Sequence, residues 1–193
     1  MATAFTRKGS RVSCTMESDE RMLVRELLSQ TRQLLEPEGD LTGDPVEDLM
    51  ASIGKRADPA ELADRDPALA RLLPDGHRDD PEVAAEFRSL TEHGLRQRKS
   101  ANLSTAIAAI DGQSGGDRLD LDLGQAQALL IALTDVRLAL GERLGLRTDR
   151  DSEALQDELA RAGSERASDP RVMTALYYDF LSWLQESLAG VLL

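Results

Sequence analysis

The sequence predicts a mainly α-helical domain of about six helices with a small β-sheet, and three observations carry that prediction. Apolar residues recur at helical spacing along most of the chain. Five Asp-Pro pairs stand where helices would begin. Two short stretches, RVSCTM (11–16) and RLDLDL (118–123), instead alternate polar and apolar residues, the period of a half-buried strand.

Taken in order, residues 4–7 (AFTR) are read as a strand that turns back at Lys8-Gly9-Ser10 into residues 11–16, where Val12, Cys14 and Met16 share one face. A helix follows at once, with Val24, Leu27, Leu28, Thr31 and Leu35 on its inner side. Asp44-Pro45, Asp58-Pro59, Asp66-Pro67, Asp80-Pro81 and Asp169-Pro170 read as helix starts. The Asp side chain accepts from unpaired first-turn N–H groups, and Pro has no N–H to leave unpaired. Glu47 and Glu61 complete reciprocal caps. The spacing predicts a short helix through Val46, Leu49, Met50 and Ile53, then brief turns between Asp58 and Pro74. A long helix is expected from Pro81 to about Ala109, with Val83, Phe87, Leu90, Leu95, Leu103, Ile107 and Ile110 on one broad face.

DGQSGGD (111–117) is a loop by composition. After it the plan repeats: a strand at 118–123 feeds a helix carrying Ala126, Leu129, Leu130, Leu133, Val136, Leu140 and Leu144. A short helix spans Glu153 to Ala162, and the last turns Met173, Leu176, Tyr177, Phe180, Leu184, Leu188 and Val191 inward. The chain is therefore expected to be one domain over 1–193, divisible into strand–helix halves 1–110 and 117–193 around the Gly-rich loop. A lone strand leaves its backbone groups unpaired. Residues 11–16 and 118–123 are accordingly expected to pair with each other and tie the halves together.

Composition narrows the function. A net charge of −12 repels phosphate backbones and anionic surfaces over most of the protein. The single cysteine, Cys14, excludes an internal disulfide and a cysteine-built zinc site. No secretory leader and no apolar run of membrane-spanning length is read, so a soluble cytoplasmic protein without membrane contact is expected. His77 and His93 fit no metal-ligand spacing, and GQSGGD lacks the Lys-Ser/Thr of a phosphate-binding loop. The many carboxylates read as caps and solvated faces. No enzyme activity, metal or cofactor is predicted.

Cys14 is the redox candidate, and it reads two ways. On the Val12–Met16 face it is an inert buried cysteine; beside Arg7, Lys8 and Arg11 its thiolate would be favoured. Basic residues gather again at Arg88, Arg96, Arg98 and Lys99, and at Arg137, Arg143, Arg147 and Arg150. Arg7, Lys8, Arg11, Arg96, Arg98 and Lys99 are the candidates for contact with a partner or DNA; solvated faces and internal ion pairs are the competing reading. The acid-dense stretch from Glu36 to Asp80 suits docking onto a basic protein.

TDVRLALGERLGL (134–146), LRQRKSANL (95–103), LYYDFLSWLQESL (176–188) and FTRKGSRV (5–12) together resemble the actinobacterial AosR-type oxidative-stress transcriptional regulators, a family formerly catalogued as a domain of unknown function. The resemblance runs in order over nearly the whole chain. It implies a redox-responsive regulator of transcription that acts with a partner such as a stress sigma factor; a homodimer is expected as well. Two features stand apart from it: no base-reading helix-turn-helix is evident, and one cysteine cannot form an intramolecular bridge. Contact with the transcription machinery is therefore expected ahead of autonomous DNA binding. The alternative is a structural adaptor whose cysteine is core.

Overall fold

Gly9, in the left-handed region at φ 62°, closes a two-residue turn with Ser10, the place where a side chain would be strained. The turn joins β1 (Thr6–Lys8) to β2 (Arg11–Thr15) with Lys8 opposite Arg11. The computed structural model describes residues 1–36, 65–74, 76, 80–113, 116–161 and 169–193. The first strand begins two residues later than expected. Phe5 leaves the ladder to bury its ring, and its N–H donates to Ser187 Oγ at 2.6 Å.

β2 also pairs antiparallel with β3 (Arg118–Asp122), giving a three-stranded sheet in the order β1-β2-β3. The expected union of 11–16 with 118–123 is what forms. Val12 faces Leu121 and Cys14 faces Leu119, all turned into the core, while Arg11, Ser13, Asp120 and Asp122 look outward. Met16 extends the ladder by donating its N–H to the Asp117 carbonyl. Leu123 belongs to the following helix and not to the strand. Asp122 ends β3 by capping that helix, accepting from the Gln125 N–H at 2.8 Å while the Gln125 side chain accepts from the Asp122 N–H.

Among the described residues there are six helices: α1 (Ser18–Leu34), α2 (Pro67–Leu72), α3 (Pro81–Asp111), α4 (Leu123–Leu144), α5 (Asp149–Arg161) and α6 (Pro170–Leu192). Asp66, Asp80 and Asp169 cap α2, α3 and α6 as expected. The other two Asp-Pro pairs, Glu47, Glu61 and the helix expected at Val46–Ile53 lie outside the described residues. The face predicted for α1 is the one buried, from Val24 to Leu35. Around α4, which packs on α1, α2, α3, α6 and β3, one core joins residues from both ends of the chain. Gly145, left-handed at φ 76°, ends α4.

Three expectations need correction. α3 has 31 residues, about 46 Å at 1.5 Å per residue, and outruns the core. Leu103, Ala106, Ala109 and Ile110 are buried, whereas Val83, Phe87 and Leu90 are exposed. α6 keeps Leu184 and Leu188 of its predicted face in the core, with Tyr177, Phe180 and Val191 packed against it, but it also buries Val172, Ala175 and Leu181 and leaves Leu176 out. Finally, α4 is long and apolar enough to cross a membrane by length and composition. Its apolar residues Leu129, Leu133 and Val136 are instead the centre of the core.

Candidate functional site

β2 places Cys14 where strand alternation sends it, inward and 5% exposed. The cations that would activate it lie elsewhere. Arg7 and Lys8 are exposed on β1, and Arg11 points to the opposite sheet face, where its Nε donates to Asp120 Oδ1 at 2.9 Å. The charge felt at the thiol is that of Glu20. Burial first, and then this carboxylate, push the Cys14 thiol up to about 12. Cys14 is thus a protonated thiol at neutral pH. Its reaction with a disulfide reagent is expected to be about a thousandfold slower in the folded protein than in the urea-unfolded chain. Equal rates in the two states would refute the burial.

The basic candidates on α3 part company. Arg96 is half-buried: its Nε and Nη2 donate to Glu92 at 2.9 and 2.8 Å and its Nη1 donates to the Leu35 carbonyl at the end of α1. Arg65, just before α2, joins the same carboxylate from the other side. Burial pushes Glu92 up, but the two guanidinium groups outweigh it and hold the carboxyl below the usual range. Lys99 donates to Asp135 of α4, a carboxylate only 2% exposed. Arg98 alone of the three is exposed. Arg96 and Lys99 therefore spend their charge tying α1, α3 and α4 together.

Three residues of the second basic cluster are also engaged, while Arg150 is exposed. Arg137 donates to Gln185 on α6 at 2.7 Å and lies 5.2 Å from the centroid of the Tyr178 ring. Arg143 pairs with Asp66 and Arg147 with Glu142. Arg88 is in α3, but its side chain, His77 and most of the acidic stretch 36–80 lie outside the described residues. His93 keeps its Nε2 buried with no hydrogen-bond partner among the described residues.

Pattern reading missed Asp135. Its one signal was an acid set inside an apolar run, between Leu133 and Val136.

A shallow polar hollow of about 330 Å³ lies against the outer sheet face, lined by Arg11, Gly112, Gln113, Asp120, Asp122 and Gln125. Its groups are mostly committed. Arg11 holds Asp120, Gln113 bridges the Ala109 carbonyl and the Asp120 N–H, and Gln125 completes the α4 cap. The hollow offers structural polar contacts, with no free acid–base pair among these residues.

These features define a mainly helical scaffold in which a three-stranded sheet fastens the N-terminal segment to the central helix. The family described as a domain of unknown function, DUF2017, matches residues 2–192, and the chain belongs to it. Proteins named oxidative stress regulator AosR from Mycobacterium tuberculosis and Mycobacterium bovis are 29% identical to it over 203 aligned residues, covering 97% of this chain and 85% of theirs. The resemblance read from the sequence blocks is the one these matches show. No solved structure matches the chain.

Proposed function

We propose that this protein is a cytoplasmic regulator of the oxidative-stress response that acts by holding a component of the transcription machinery, a stress sigma factor being the candidate. The observation that carries the reading is the end-to-end match to relatives bearing the name of an oxidative stress regulator. The distribution of charge favours a protein partner over direct DNA reading. Of the six cationic candidates, Arg11, Arg96 and Lys99 are ion-paired within the chain and Arg7 donates to the Gly9 and Val191 carbonyls, leaving Lys8 and Arg98 against a net charge of −12. In this reading Cys14 is core, and the oxidant signal reaches the complex through the partner.

The test is the transcript response to peroxide in a strain deleted for the gene and complemented with wild type, Cys14→Ala or Cys14→Ser. A response lost on deletion and restored by all three chains supports a scaffold regulator. Restoration by wild type alone, with both variants folded, would make Cys14 the sensor. A response unaffected by deletion removes the regulatory role.

A further inference from the structure

α6 carries more apolar residues than its packing uses. Met173, Leu176, Phe180 and Trp183 recur at spacings of three and four, from the outer side of α6 to the edge where Phe180 packs against the core, the spacing of a helix that pairs with another helix. Leu176 is 43% and Trp183 39% exposed, while Met173 and Phe180 are half-buried. The Phe180 and Trp183 rings stack with centroids 6.2 Å apart, which presets a rigid aromatic knob at low entropic cost.

The row beside this seam is acidic. Asp179 and Glu186, seven residues apart, are exposed along the edge marked by Leu176 and Trp183. Asp179 accepts from Gln156 of α5, and Glu186 has no partner among the described residues. α5, which packs beside α6, adds Asp149, Asp151, Glu153, Asp157 and Glu158 against Arg150 among the described side chains. At a helix–helix seam the flanking charges choose the partner. A second copy of this chain is a poor choice. Antiparallel pairing sets Asp179 and Glu186 against their own kind, and parallel pairing sets them toward the row of Tyr177 and Leu184, which is turned into the core and offers no positive charge. Each copy also brings a net charge of −12.

We propose that the outer face of α6 is the docking surface for a basic amphipathic helix of a partner protein, with Leu176, Phe180 and Trp183 as its apolar anchors and Asp179 and Glu186 as its charge rim. This rests on the reading of the protein as a regulator that works through a protein partner, and it assigns the surface and the chemistry of that contact.

The single tryptophan of the chain is Trp183, so its fluorescence reports on this face directly. Two synthetic amphipathic helical peptides serve as probes, identical in a leucine seam and differing in rim residues, all lysine or all glutamate. The expected result is a saturable blue shift with the lysine peptide and none with the glutamate peptide. Binding is expected to weaken about tenfold in the Asp179→Lys/Glu186→Lys protein, and to weaken with added salt. Leu176→Ser, a change at an exposed site, is expected to reduce binding without altering the circular dichroism spectrum. Equal binding of both peptides, no binding up to about 1 mM, or a concentration-dependent blue shift of the protein alone would overturn the proposal. If the deletion strain loses its peroxide response and the Asp179→Lys/Glu186→Lys chain restores it fully, the docking surface falls while the regulator reading stands.

Discussion

Lys99→Met is expected to destabilise the fold by about 3–5 kcal/mol at neutral pH, the range seen when one partner of a buried ion pair is removed. Asp135 sits 2% exposed on the central helix with Oδ1 hydrogen-bonded to Lys99 and Oδ2 without a partner among the described residues. Removing the ammonium leaves a buried carboxylate uncompensated. Burial already pushes Asp135 up from its ordinary value, and the hydrogen bond and charge of Lys99 only partly oppose this. A carboxyl whose folded pKa lies above its unfolded one favours the folded state below the unfolded value, near 3.8, and loses that contribution as pH rises through the folded value. Without Lys99 the folded value rises further, so the loss should be greatest at neutral pH and shrink on acidification toward about pH 4. Urea unfolding at both pH values measures this. Lys99→Met/Asp135→Leu is expected to recover most of the stability, because replacing both charges by apolar side chains removes the desolvation penalty with its compensation. A pH-independent loss below about 1 kcal/mol would show that water reaches Asp135.

The same pair shows where sequence reading stops. Strand alternation at Val12, Cys14 and Met16 and at Leu119 and Leu121 specified both strands and their inward faces, because a period of two has only one arrangement that buries the leucines and exposes the aspartates. Asp-Pro capping was equally legible, since it is local: Asp66, Asp80 and Asp169 each bond to N–H groups two or three residues on. Tertiary choices were not. α6 is apolar on most of its circumference, so spacing alone could not say that Val172, Ala175 and Leu181 turn inward and Leu176 outward. Lys99 reads as a surface cation until α4 brings Asp135 beside it, across 36 residues of sequence. The candidate site suffered most from this. Cys14 looked cationic in its one-dimensional neighbourhood, and alternation, applied strictly, sends Arg11 to the far side of the sheet while the α1 cap brings Glu20 near.

Leu121→Ala is expected to cost about 2–5 kcal/mol, the range for truncating a fully buried leucine in a core that cannot collapse around the gap. Leu121 is 0% exposed, stands opposite Val12, and is the last inward residue before Asp122 starts the central helix. Rigid ladders on one side and a capped helix on the other leave little room for relaxation. Its neighbour is the control. Asp120 faces outward, and its ion pair with Arg11 is largely exposed; Asp120→Ala is expected to cost about 1 kcal/mol or less. The contrast between adjacent positions follows from register. A one-residue slip would bring Asp120 and Asp122 into the core in place of Leu119 and Leu121, so the sheet has one workable pairing between β2 and β3. Denaturant midpoints for the two variants, compared at unchanged slope, check both magnitudes. Similar losses at 120 and 121 would mean that the strand does not present one face to the core, and the fastening of the N-terminal hairpin to α4 would have to be sought elsewhere.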